Sequence, residues 1–287
     1  MTVSVSRHGS AGPDDAAYAG SLGQQLASMV DALERSPDML DATLMVAQVH
    51  VNARLAVDPD ASYLPTWEAV VSAMQISSAL FATSAPRGSD PVECRISDEI
   101  RALAPTGPLS AHTAGNWLTA FYFAIVCRDQ ARMTMLCNVT LEMLRESPVE
   151  YDKFIFHWID TLQTYWLEQP GLVDKLVAAI EMSHPERAQT TDPESLDRLL
   201  FQPISLFHRF IRKDREEFQQ TLVEALQQHK AYWSASEDRA SSVEGYLALG
   251  PLAMACLAYD AQFPLDIESP YIPSELLNRA WLGEFPT

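Results

Sequence analysis

The stretch Ser147-Pro148-Val149-Glu150-Tyr151-Asp152-Lys153-Phe154-Ile155-Phe156-His157-Trp158-Ile159-Asp160-Thr161-Leu162-Gln163-Thr164-Tyr165-Trp166-Leu167-Glu168-Gln169-Pro170-Gly171 carries its own start, body and stop. Ser147 offers a side-chain acceptor to the first free N–H groups of a helix. Pro148 suits the first helical position, and Glu150 completes a capping box. Gln169-Pro170-Gly171 ends the run. The body holds Tyr151, Phe154, Phe156, Trp158, Tyr165 and Trp166, more aromatic residues than one apolar stripe can take. The pattern predicts a central helix over about 149–168, contacted on several sides. Such a helix needs other helices around it, and the fold expected is all-α.

The same periodicity runs outward toward the carboxyl end. Further helices are expected over about 110–128, 130–146, 171–183, 193–212, 215–233, 244–262 and 273–281, joined by connections short enough for antiparallel packing. Asp192-Pro193-Glu194 is a second clear helix start, and His184-Pro185 is a stop. Two corners echo each other. Arg128-Asp129 and Lys213-Asp214 each put a basic residue at the end of one helix and an acid at the start of the next, which suits the two ends of the helix dipole.

Toward the amino end, Tyr18, Leu22, Leu26, Met29 and Leu33 recur at steps of three and four. Ser36-Pro37-Asp38 opens a second helix with Leu40, Leu44, Ala47 and Val51 on one face. A third is expected from about Thr66 to Phe81. Residues 1–12 are small and polar, and a frayed tail is expected there. Residues 13–287 read as one helical domain. The segment 84–107 interrupts the helices with Pro86, Gly88, Pro91, Pro105 and Gly107. Within it Val92, Cys94 and Ile96 alternate with Glu93 and Arg95, and Ile100 and Leu103 follow, so a short β-hairpin is expected.

The chain of 287 residues carries 20 Lys and Arg against 38 Asp and Glu, a formal charge of −18. Nucleic-acid binding needs clustered cations, so direct binding is not expected. No apolar run reaches the roughly 18 residues of a membrane helix, and no secretory signal opens the chain, so a cytoplasmic protein is expected. Cys94, Cys127, Cys137 and Cys256 form no C-x-x-C pair and read as reduced, buried thiols.

The residues give no catalytic motif: no Walker A, G-x-G-x-x-G, G-x-S-x-G or H-E-x-x-H. Glu181-x-x-His184 is half of a di-iron motif with no second copy. His157 and Asp160 share a helix face, and a buried His157 would need a hydrogen-bond partner, for which Asp160 or a backbone carbonyl could serve. His112, Asn116 and Trp117 open a helix and suit capping it or pinning the hairpin. No metal, no cofactor and no enzymatic activity are expected. An enzyme would require His157, Asp160, Glu181 and His184, or a similar set, to converge in one cavity.

Acids gather at Asp38, Asp41, Asp58 and Asp60, at Asp90, Glu93, Asp98 and Glu99, at Glu237, Asp238 and Glu244, and near the carboxyl end. Such surfaces keep a protein soluble, and they also speed association with a basic partner.

Leu247-Ala248-Leu249-Gly250-Pro251-Leu252-Ala253-Met254-Ala255-Cys256-Leu257-Ala258-Tyr259-Asp260, followed by Ile267-Glu268-Ser269-Pro270-Tyr271-Ile272-Pro273, resembles the closing signature of the immunity-49 family. Ala114-Gly115-Asn116-Trp117-Leu118-Thr119-Ala120-Phe121 with Cys127-Arg128-Asp129 is similar to its central block. Tyr151, Tyr165-Trp166 and Leu206-Phe207-His208-Arg209-Phe210 fit the same pattern. The resemblance spans about residues 15–287. It implies an all-helical immunity protein of a bacterial polymorphic toxin system, which binds a cognate toxin and neutralises it, with no catalytic residues to carry over. The expected toxin contacts are Asp90, Glu93, Asp98 and Glu99 on the hairpin, with Glu237 and Asp238; a basic nuclease is the partner chemistry an acidic inhibitor suits. The alternatives are a helical interaction scaffold unrelated to toxins and, behind it, a helical metal-dependent enzyme.

Overall fold

The computed structural model describes residues 2–284 and 287. The first segment is not frayed as expected. Strand β1 (Val3–Ser4) runs parallel to Ile267–Glu268, and Val5 is buried. The Arg7 guanidinium donates to the carbonyls of Leu55 at 2.7 Å and Pro270 at 2.8 Å. His8 donates its backbone N–H to the Tyr271 hydroxyl at 2.8 Å. Small polar composition signals fraying only where nothing supplies partners, and here the distant carboxyl segment supplies them.

Helices α1 (Asp15–Ala32), α2 (Leu40–Val57) and α3 (Leu64–Ala82) follow. Leu22, Leu26 and Val30 form the buried stripe of α1, while Tyr18 stays exposed. Ser36-Pro37-Asp38 opens a short 3-10 turn, Pro37–Met39, that leads into α2. Helix α3 is buried almost all round. It packs against α2 on one side and, on another, against the expected hairpin of β2 (Val92–Ile96) and β3 (Glu99–Leu103). Cys94, Ile96 and Leu103 point inward and Glu93 and Glu99 outward, the period-2 alternation of a half-buried hairpin.

Helix α4 (Ala114–Val126) starts at Thr113, whose hydroxyl accepts the Asn116 N–H at 3.0 Å. His112 stands just before it, buried, with Nε2 against the Leu80 carbonyl at 2.8 Å. The expected helix over 130–146 is broken in two, α5 (Gln130–Cys137) and α6 (Leu141–Arg145), because Thr140 caps a fresh start on the Met143 N–H. The aromatic helix, α7 (Lys153–Trp166), begins four residues later than its capping box suggested. Ser147 accepts only the Val149 N–H, at 3.3 Å. Asp152 instead accepts N–H groups from Gln189, Thr190 and Thr191 at 2.7–3.2 Å. Burial works to raise its pKa, but those hydrogen bonds prevail and hold it low. Tertiary bonding to a loop some forty residues on thus outranks the local cap. Helix α7 meets α4, α5, α6 and α8 (Leu172–Met182), as a helix with aromatics on several sides should.

Residues 193–211 form one helical run with a π-turn inside it. It opens as α9 (Pro193–Ser195), widens at Leu196–Leu200 and continues as α10 (Phe201–Ile211). Pro203 lacks an N–H and its ring crowds the carbonyl one turn back, which is a physical cause for the widening. Helix α11 (Arg215–Trp233) and the short α12 (Glu237–Ser241) lead through a 3-10 turn, Val243–Tyr246, to α13 (Leu249–Asp260). The expected helix over 273–281 is only α14 (Ser274–Leu277), after β4 (Ile267–Glu268).

Helices α3, α4 and α13 lie at the centre, with α4 between the other two. One continuous core links Val5 to Leu277. Its largest fully buried side chains include Trp117, Trp158, Tyr271, Phe121 and Phe207, and burying side chains of this size supplies about 1.5–3 kcal/mol each. The four cysteines are buried and unpaired. Burial pushes the Cys94 thiol up to about 11 and that of Cys256 to about 12. The two echoing corners are one device. The Asp129 N–H bonds the Ala124 carbonyl and the Asp214 N–H bonds the Arg209 carbonyl, at 2.9 and 3.1 Å, with Arg128 and Lys213 in left-handed backbone between. This is the Schellman ending of a helix, made without glycine.

Candidate functional site

The hairpin presents the first group of expected contacts. Asp90, Glu93, Asp98 and Glu99 are all exposed. Ser97 turns the hairpin in left-handed conformation, and its N–H bonds the Gln75 side-chain carbonyl on α3 at 2.8 Å, which fixes where Asp98 sits. Arg101 is buried and pairs with Glu99 at 3.1 Å and with Asp31 of α1 at 3.0 Å. Glu99 is therefore partly neutralised inside the chain. Asp98 faces Glu68, and burial together with the Asp98 charge pushes the Glu68 carboxyl up.

Glu237 and Asp238 are exposed on α12, away in sequence from the hairpin and packed with α11. They lie in the segment that joins Trp233 to Glu244. Both of those residues line a groove of about 570 Å³, together with Gly115, Tyr122, Tyr151, Trp158, Leu200 and the run from Leu247 to Pro251. The two clusters of candidate acids are thus carried by two separate elements.

The groove itself was not anticipated from the sequence. Its floor is a bonded pair: the Trp158 indole N–H donates to the Tyr122 hydroxyl at 2.7 Å. Burial pushes the Tyr122 hydroxyl far up its scale, so it stays protonated. Three glycines let the walls close. A Cβ on Gly115 would stand 2.7 Å from the Tyr151 hydroxyl, one on Gly245 2.3 Å from the Trp233 ring, and one on Gly250 2.6 Å from Pro203. Glycine inside an apolar helical run was the available signal, since it marks close approach. What it approaches is settled by packing. The rim carries the exposed carboxylates of Glu150 and Glu244 and the Arg198 guanidinium, which pairs with Glu194 at 3.5 Å.

The blocks that carry the sequence resemblance meet here: Ala114–Phe121, Tyr151 and Leu247–Asp260 all contribute to this groove. The model of the family described as immunity protein 49 matches residues 58–276 of the 287. The chain belongs to the immunity protein 49 family. The region matched to immunity protein 49 contains the hairpin and every residue of the groove; it leaves out α1 and α2, which end before residue 58. No curated protein matches the chain, and no solved structure does.

The four residues that an enzymatic reading required do not converge. Asp160 does not serve His157. It accepts a hydrogen bond from Lys175 Nζ at 2.8 Å. Glu181 and His184 are exposed near the end of α8, and His184 Nδ1 accepts the Glu186 N–H at 3.4 Å. Among the described residues no group of three or more His, Cys, Asp or Glu side chains is placed to hold a metal ion. No helix among them is long and apolar enough to cross a membrane.

Proposed function

We propose that this chain is a cytoplasmic immunity protein that binds a cognate toxin domain of a polymorphic toxin system and neutralises it by occupation rather than by chemistry. The observation that carries the reading is the immunity protein 49 match over residues 58–276. The charge of −18 supports a basic partner, with a nuclease as the leading class, because nucleases hold phosphates with clustered cations. A field of this sign raises the association rate and weakens with salt. The contacts proposed are Asp90, Glu93, Asp98 and Glu99 on the hairpin and Glu237 and Asp238 on α12. We take residues 13–287 as one domain, with the first segment docked on it through Val5, which belongs to the same continuous core.

The experiment is a co-expression rescue. The toxin candidate encoded beside this gene is induced in a sensitive host with and without this protein, and the pair is co-purified at low and high salt. Rescue with a complex weakened by salt is expected. Asp90→Lys with Asp98→Lys, and separately Glu237→Lys with Asp238→Lys, then report which surface the toxin meets. Growth arrest unchanged by this protein, with no complex, would sink the immunity reading and leave the helical scaffold.

A further inference from the structure

A second cavity, of about 430 Å³, opens between α1, α2, α3 and the hairpin turn. It lies largely outside the groove that the immunity-49 motifs build. Its walls are apolar: Leu26 and Val30 from α1, Trp67 and Val71 from α3. Gly20 and Gly23 leave the α1 side open, for a Cβ on Gly20 would meet nothing within 4 Å and one on Gly23 would meet only the His50 ring, at 3.1 Å from Nε2.

Charges of both signs line this cavity without meeting each other. Arg54 contributes a cation from α2. Its guanidinium reaches only the Thr66 hydroxyl, at 3.4 Å, and among the described residues it forms no ion pair. Glu68 and Asp98 contribute two carboxylates at the hairpin side, also without an ion pair among the described residues. In a chain with 38 acids and 20 basic residues, a half-buried arginine has no shortage of carboxylates to choose from. His50, one helical turn before Arg54 and on the same face, has Nδ1 buried without a partner. Burial, aided by the Arg54 charge, holds the His50 ring down to about 4, so it is neutral at physiological pH. The cavity therefore offers polar groups of His50 and Arg54 from α2, carboxylates from α3 and the hairpin turn, and hydrocarbon from α1 and α3.

We infer that this cavity binds a small zwitterion, its carboxylate on Arg54 beside His50 and its ammonium between Glu68 and Asp98, as an amino acid with a basic side chain would provide. A planar guanidinium with free N–H groups is a carboxylate receptor. The volume falls in the lower range of small-ligand pockets. The site shares Asp98 with the proposed toxin surface, but its test reads ligand binding alone and does not depend on toxin neutralisation.

The test is titration of the ¹⁵N-labelled full chain with three probes, reading the Trp67 indole N–H resonance, which Trp67→Phe identifies. L-lysine carries both charges, cadaverine lacks the carboxylate, and L-norleucine lacks the side-chain ammonium. L-lysine should give a saturable shift. Cadaverine should bind at least about tenfold more weakly, and Arg54→Met should weaken L-lysine by a similar factor, the scale of one charge-assisted hydrogen-bonded contact. Gly20→Leu, whose Cβ meets nothing within 4 Å, should abolish the shift without lowering the thermal midpoint. No saturable shift with L-lysine would overturn the assignment. So would cadaverine binding as well as L-lysine, or an unchanged affinity in a folded Arg54→Met.

Discussion

Arg128 and Lys213 share one left-handed backbone conformation, at φ 55° and 56°, each closing a helix before an aspartate. Their side chains do different work. Lys213 is exposed. Arg128 donates to the carbonyls of Val126, Leu276 and Leu277, each at 2.8 Å, and its Nε pairs with Asp260 at 3.2 Å. It ties α4 to both α13 and α14. Glycine relieves the backbone cost at either position but removes these bonds at only one. Lys213→Gly is therefore expected to stabilise by about 0.5–1 kcal/mol, and Arg128→Gly to destabilise by about 2 kcal/mol or more. Urea unfolding of the two variants checks the opposite signs.

Tyr122→Phe should leave the buried Trp158 indole N–H without its acceptor. The expected cost is about 1–3 kcal/mol, the desolvation penalty of an unmet buried donor. A midpoint equal to that of the parent chain would mean that the pair does not support the groove floor.

Gly245→Ala puts a methyl group into the Trp233 ring. Overpacking of this kind costs about 1–3 kcal/mol. Trp233 must shift, and its fluorescence should change along with stability. Gly20→Ala, where the added methyl meets open space, should by contrast stabilise α1 by about 0.5–1 kcal/mol.

His229 is buried on α11 with Nε2 against the Gly245 carbonyl at 2.8 Å. Burial lowers its pKa to about 4; the Gly245 bond opposes the shift and His8 adds to it. A base whose folded pKa lies below its unfolded value binds fewer protons when folded. Its contribution is complete above about pH 6.5 and is lost as pH falls toward 4. The loss expected from this group is about 3 kcal/mol. Urea midpoints measured from pH 7.5 down to 4 should fall over that window, and His229→Gln should show a shallower fall.

The helical class, the hairpin and most helix boundaries were legible in the sequence because they rest on local causes. Periodicity placed α1 to α3, Asp192-Pro193 opened α9, and the alternation Val92, Cys94, Ile96 marked β2. The failures were local signals overruled from a distance. Ser147-Pro148-Val149-Glu150 looks like a helix start, yet Asp152 is engaged by N–H groups of residues 189–191. Residues 3–8 look frayed, yet the segment 267–271 holds them. Asp160 was one of two partners open to His157, and Lys175 of the next helix engages it instead.

Composition fixed the acidic surplus without need of a structure, and the motif blocks were visible as words in the chain. The sequence by itself determined the helical class, the hairpin and the surplus of acids over basic residues, because propensity, capping and net charge are properties of short segments or of sums. Only the tertiary structure decided what those elements enclose. It brought Ala114–Phe121 and Leu247–Asp260 together around Trp158 and Tyr122, divided the candidate acids between the hairpin and α12, and set Arg54 in one cavity with Glu68 and Asp98. Contacts between residues distant in the chain depend on packing, and a linear pattern does not contain packing.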